Sequence, residues 1–168
     1  FNGSALKADE AQIQLNSEAI FGTGANVQSG QLRLTASRGD IDISGESTLD
    51  SGESQMQFTA SSGAVRFNES TLKADEAQIQ LDGEGIYGTD ADVQSRGSKI
   101  RMNGGSSNVV LTDTLVDSSG GKTDISTDAT LRITDATMRS GESKTSLFGG
   151  DIFGDDLNVT TDESALTI

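Results

Sequence analysis

The sequence predicts an all-β chain: a right-handed parallel β-helix of seven to eight three-faced coils of about 22 residues each. Three observations carry this expectation. The segment Ser4-Ala5-Leu6-Lys7-Ala8-Asp9-Glu10-Ala11-Gln12-Ile13-Gln14-Leu15-Asn16 returns 66 residues later as Ser70-Thr71-Leu72-Lys73-Ala74-Asp75-Glu76-Ala77-Gln78-Ile79-Gln80-Leu81-Asp82, identical at 11 of 13 positions. Anchors at Leu6, Val27, Leu49, Leu72, Val93, Leu115 and Met138 stand 21, 22, 23, 21, 22 and 23 residues apart, which divides the 66-residue unit into three. Within each unit the apolar residues alternate with period two, the pattern of a half-buried strand, and none recurs at three-and-four helical spacing.

Each coil offers three patches in order. The first places a large anchor two residues before a small one, at Ala8, Ser29, Ser51, Ala74, Ser95 and Ser140. The second pairs Ile13/Leu15, Leu32/Leu34, Met56/Phe58, Ile79/Leu81 and Ile100/Met102 inward, so Gln14, Arg33, Gln57, Gln80 and Arg101 project outward. The third runs through Ala19-Ile20-Phe21, Ile41/Ile43, Val65/Phe67, Val109/Leu111, Leu131/Ile133 and Ile152. Phe21, Phe58, Phe67 and Phe153 are expected at inward or corner positions, with Tyr87 replacing Phe21 and no exposed aromatic ladder. Gly22, Gly45, Asn68 and Gly88, with Asp113 and Asp135, are read as corners after the third patch, and Gly39, Gly63 and Gly83 precede it. About 22 residues leave no room for a crossover helix, so successive coils should pair in parallel, about 4.8 Å apart, in a rod on the order of 35 Å long.

Two departures stand out. Val27 to Leu32 is two residues shorter than its counterparts, which contracts one corner, and Leu115 to Ile125 aligns poorly, which suggests a bulge or loop at Ser118-Ser119-Gly120-Gly121. The repeat recovers at Met138, where Ser140-Gly141-Glu142-Ser143 copies Ser51-Gly52-Glu53-Ser54. A coil begins almost at once at Leu6 and Ala165-Leu166-Thr167-Ile168 stops on an alternating patch, so residues 1–168 are expected to be a single segment of a longer repeat protein.

Composition narrows the function classes. Twelve basic against 26 acidic residues give a net charge of −14, whose field repels phosphate and argues against nucleic acid or an anionic membrane as partner. With no Cys and no His, thiolate nucleophiles, soft metal ligands and disulfides are excluded, and only a hard cation such as calcium is open. No apolar run is long enough to span a bilayer.

The acids deserve a catalytic test, because glycoside hydrolysis needs two carboxylates at a set separation in different protonation states. Asp40 and Asp42 flank Ile41 on one side of a strand, and Asp9/Glu10 recur as Asp75/Glu76; both pairs read as solvated or structural positions, and no catalytic residue, cofactor site or metal site is assigned. Gly149-Gly150-Asp151-Ile152-Phe153-Gly154-Asp155-Asp156 is the densest calcium candidate, although no recurrent calcium motif accompanies it. Asn2-Gly3-Ser4, Asn68-Glu69-Ser70 and Asn158-Val159-Thr160 match the Asn-glycosylation pattern, and Thr35, Thr59 and Thr112 are too irregular for a flat Thr array.

Gly30-Gln31-Leu32-Arg33-Leu34-Thr35-Ala36 with Gly39-Asp40-Ile41-Asp42-Ile43, then Met56-Gln57-Phe58-Thr59-Ala60 with Gly63-Ala64-Val65-Arg66-Phe67, resembles the degenerate repeats of bacterial filamentous-haemagglutinin-type exoproteins. The likeness extends through about residue 160. It implies a right-handed parallel β-helix displayed outside the cell, as an adhesin or a stalk that carries a toxin. It supplies no catalytic residue. The expectation is therefore a non-enzymatic structural or presentation segment of a large adhesin, extracellular or at the bacterial cell surface. Its partners would be further coils of the same polypeptide and a host or bacterial receptor or glycan. The alternatives are a polysaccharide-binding or polysaccharide-processing β-helix enzyme and a self-assembling filament subunit.

Overall fold

The protein is described by a computed structural model covering residues 1–141, 144–161 and 166–168, with the backbone alone at Asp9 and Glu10. The acidic side chains of Asp9/Glu10, the end of the Ser140–Ser143 copy and Ala165 lie outside the described residues. The chain is an all-β parallel solenoid of about seven coils, and every strand pairing is parallel.

The third face is a seven-stranded sheet built of Ile20–Thr23, Ile41–Ser44, Ala64–Asn68, Gly85–Thr89, Val109–Thr112, Thr130–Thr134 and Asp151–Asp155. The first two faces form one 14-stranded sheet, because the strands Ala5–Ser17 and Asn26–Ala36 each run unbroken across both. From the third coil onward the two faces separate, as in Ser70–Asp75 followed by Ile79–Asp82. The contracted corner is the cause. Between the inward positions of the two faces the later coils spend four residues, as from Ser51 to Met56, whereas Ser29 to Leu32 spends two, and Gly30 and Gln31 continue the strand instead of turning it.

Alternation and burial agree along the stack. Leu32, Leu34, Ile41, Ile43, Leu49, Met56, Phe58, Val65, Phe67, Leu72, Ile79 and Leu81 are completely buried, and Val27 nearly so. Leu6, Ile13 and Leu15 also point inward but are only partly covered, since the first coil has a neighbour on one side alone. The small residues of the first face shape its inner corner: Ser51 Oγ donates to Ser54 O at 2.8 Å, Ser95 Oγ to Ala77 O at 2.6 Å, and Ser118 and Ser140 share hydrogen bonds with Thr123 and Thr145. Ser29, whose corner lacks the corresponding residues, has a buried hydroxyl with no partner.

The structure corrects two registers. Val116, not Leu115, is the buried anchor of its coil, in register with Val93 and Met138, while Leu115 pairs with Asp92 and Thr137 on the outward side. With Val116 as anchor the poor alignment disappears: Ser118 to Thr123 is an ordinary four-residue corner turned at Gly120, whose φ is 84°. Gly22 and Gly88 are not corners either. They are buried inward positions inside strands, where Gly22 underlies the Phe1 ring and a methyl at Gly88 would drive into the Phe67 ring. A ring in one coil takes the volume that the next leaves empty.

Candidate functional site

The corner that leads from the third face to the first turns on left-handed backbone. Gly3 and Gly24 (both φ 57°) open this column and Gly45 (63°) with Glu46 (57°) continues it. Then come Glu69 (49°), Asp90 (50°), Asp113 (48°), Asp135 (48°) and Asp156 (46°). Glycine enters this region freely and Asp tolerates it, while Glu does so at more strain. The corner amides stitch the coils together: Gly3 N donates to Thr23 O at 2.7 Å, Glu69 N to Thr89 O at 2.9 Å, Asp90 N to Thr112 O at 3.1 Å and Asp135 N to Asp155 O at 3.0 Å. Carboxylates are thereby set one per coil, about 4.8 Å apart along the rod.

Glu46, Glu69, Asp90, Asp92 and Asp113 line a shallow cleft of about 550 Å³, which continues through Asp113 and Asp135 to Arg139. Three hydroxyls on its wall are already committed, Ser47 to Ser44 O at 2.6 Å, Ser70 to Asn68 O at 2.8 Å and Thr114 to Thr112 O at 2.8 Å. The cleft therefore presents exposed carboxylates to solvent and would attract cations or basic groups. Sequence reasoning placed Asp113 and Asp135 at corners but missed the column. Its signal was present, since 46, 69, 90, 113, 135 and 156 are spaced by 23, 21, 23, 22 and 21, the repeat's own interval.

The carboxylate pairs singled out in the sequence do not converge. Asp40 Oδ1 accepts the Ala64 amide at 2.8 Å and its other oxygen meets the Arg66 guanidinium. The Ala64 amide and Arg66 together hold Asp40 below its ordinary pKa despite partial burial, the reverse of what a general acid requires. Asp42 instead lies in an outward row, in register with Phe21 and Arg66. Asp75 bonds Lys73 Nζ at 3.0 Å, and Lys73 also reaches Asp50 at 3.5 Å, which holds its pKa above the usual value. Glu76 occupies a left-handed corner (φ 57°) and is exposed.

The calcium candidate is likewise dispersed. Asp151–Asp155 is a strand, so Asp151 and Asp155 stand four residues apart, roughly 13 Å, too far to share an ion, and Asp156 turns the next corner. Among the described residues no three acidic side chains gather as a metal ligand set. Of the glycosylation matches, Asn2 and Asn158 are exposed and Asn68 is half-buried. Thr35 and Thr59 are neighbours in one sheet while Thr112 belongs to the other.

The expectation of inward Phe21 and Phe153 is overturned: they are 57% and 50% exposed. Strand alternation sends Ile20 and Gly22 inward, so Phe21 between them points out. Register joins Phe21, Asp42, Arg66, Tyr87, Val110, Arg132 and Phe153 into one outward row on the third face. Arg66 lies over the Tyr87 ring at 5.5 Å and Arg132 over Phe153 at 5.1 Å. An exposed row with three aromatic residues thus exists, against expectation. Phe21, Tyr87 and Phe153 are 66 residues apart, as are Arg66 and Arg132, so the three-coil period could have revealed it.

Comparison of the chain with protein-family models, with curated proteins and with solved structures gives no match.

Proposed function

We propose that this chain is a non-catalytic structural segment of a large bacterial surface adhesin, outside the cell, which extends or presents a binding region. The observation that supports this most directly is the unbroken register of the third face. Inward residues of the third face follow one another as Ile20, Ile41, Val65, Ile86, Val109, Leu131 and Ile152, each hydrogen-bonded strand on the last. Such a rod is stiff because bending it would break parallel ladders on several faces at once. The resemblance to filamentous-haemagglutinin-type repeats adds the surface setting.

The acid-lined corner cleft favours a second reading, a polysaccharide-processing β-helix, since carboxylates one coil apart approach the separation used by retaining glycosidases, about 5–5.5 Å. Two measurements separate the readings. The chain contains no Cys, so Glu18→Cys and Asp151→Cys can carry spin labels alone; a stalk should give one narrow interlabel distance, and a broad distribution would refute stiffness. Incubation with bacterial and host polysaccharides should release no reducing ends. Turnover that disappears in Asp113→Asn would transfer the assignment to the second reading.

A further inference from the structure

The outward row of the third face has an approximate two-fold pattern. Its seven residues run Phe21, Asp42, Arg66, Tyr87, Val110, Arg132, Phe153, one per coil. A second copy laid face to face with its rod axis reversed, the two-fold passing by Tyr87, would set Phe21 against the other copy's Phe153. It would also set Asp42 against Arg132, Arg66 against Val110 and Tyr87 against Tyr87. Aromatic then meets aromatic at both ends, and two opposite-charge pairs form between them. Arg66 can be covered by Val110 at modest cost, because its charge is already held by Asp40 within the same chain.

We propose that the third face is a self-complementary interface through which two copies of this chain associate side by side and antiparallel. This goes beyond the stalk reading, which requires only one rod. Phe21 and Phe153 supply exposed apolar area at the two ends. Asp42 is half-exposed and Arg132, although it lies over the Phe153 ring, is exposed, so both can be reached across the junction. A face of seven coils, about 35 Å by 13 Å, would bury roughly 900 Å² over both copies, below the size of a permanent dimer and in the class of weak, reversible association. The corner acids would face one another along one rim, Glu69 against Asp113, Glu46 against Asp135 and Asp90 against Asp90, which further limits the affinity.

Sedimentation equilibrium of the 168-residue chain tests this. The expected result is a monomer–dimer equilibrium with a dissociation constant on the order of 100 μM. Asp42→Arg or Arg132→Asp alone should weaken it about tenfold or more, and the two together in one chain should restore it to within about threefold, because the swapped charges again meet across the two-fold. Phe21→Ser should also weaken it. Circular dichroism and urea midpoints of each variant establish that the fold is retained, and Asp42→Asn with Arg132→Gln provide milder versions should a charge reversal unfold the coil. A chain that stays monomeric at millimolar concentration, a dimer indifferent to these substitutions, or a double variant no better than the singles would overturn the proposal.

Discussion

Residues Phe1–Ser29 and Phe67–Ser95 are nearly the same sequence, differing at 8 of 29 positions, yet they fold differently at one corner. In the first, Ala5–Ser17 is a single 13-residue strand. In the second, Ser70–Asp75 and Ile79–Asp82 are separate strands with Glu76 in left-handed backbone between them. The eleven matching residues of the shared motif cannot account for this; their neighbours can. Ser70–Asp82 lies between coils that each turn with four residues, and its corner is tied to them by Asp75 N to Gly52 O at 2.6 Å and Glu76 N to Arg96 O at 2.6 Å. Ala5–Ser17 has a single neighbour, the strand Asn26–Ala36, which has no such corner, so the register jumps between Ala8 and Gln12 and the extra residues form a bulge in a continuous strand. Parallel coils copy each other's corners, and where the template is missing the chain runs on.

The sharpest break of this comparison is in the core. Ile79→Ala, at a position sealed from both sides, should cost about 2–5 kcal/mol, whereas Ile13→Ala, partly exposed at the end coil, should cost about 1 kcal/mol and outward Gln80→Ala under about 0.5 kcal/mol. Urea unfolding of the three variants reads this order, and equal losses would contradict the burial. Next come the paired glycines. Gly88→Ala must displace the Phe67 ring inside the stack, at about 1–3 kcal/mol, while Gly22→Ala meets the Phe1 ring at 2.7 Å and should cost under about 1 kcal/mol because that ring is only partly buried.

Inserting Gly-Glu between Gly30 and Gln31 would restore a four-residue corner to the second coil. The expected outcome is separation of Asn26–Ala36 into two strands and of Ala5–Ser17 above it, at a stability change under about 1 kcal/mol, visible as lost amide-exchange protection at the new turn. An insertion that loops out and leaves both strands whole would show that neighbours do not dictate the corner. Acid should act through Asp40 and Asp124. Burial opposes ionisation of Asp124, but Lys99 at 2.6 Å and Lys122 at 2.9 Å outweigh it, and both carboxyls titrate below 3.8 in the folded chain. Their contribution is therefore intact above pH 3.8 and lost as pH falls through the lower folded values, with Asp40→Asn flattening part of that decline. The smallest effect belongs to chelator, which should leave the unfolding midpoint unchanged, since the inward ladders recur in coils where Thr130 and Thr134 stand in place of Asp151 and Asp155; a collapse reversed by calcium would overturn this.

The ladders were legible because alternation and a 22-residue interval are written directly in residue types. Ile79 and Leu81 could be assigned inward from their pattern alone. Leu115 and Val116 could not be separated, as adjacent apolar residues both satisfy an anchor and only pairing with Val93 selects one. Phe21 misled for a related reason: apolarity suggested an inward ring, while the alternation of Ile20 and Gly22 required an outward one. Gly22 and Gly88 read as turns because a glycine's lack of a side chain serves a turn and a tight contact equally well. The acid column escaped notice because its members are never close in sequence and gather only when coils stack.

The sequence by itself determined that this chain is a parallel β-solenoid, how long its coils are and which alternating pairs, such as Ile79 and Leu81, line its interior, because those features depend on polarity within a coil and on the interval at which it recurs. Only the tertiary structure decided where strands break, which glycine receives a neighbour's ring, and that the acids from Glu46 to Asp135 line one cleft while Phe21 to Phe153 form one row. These are relations between coils. They follow from hydrogen-bonded register and from the volume each coil leaves for the next, quantities that no single stretch of sequence contains.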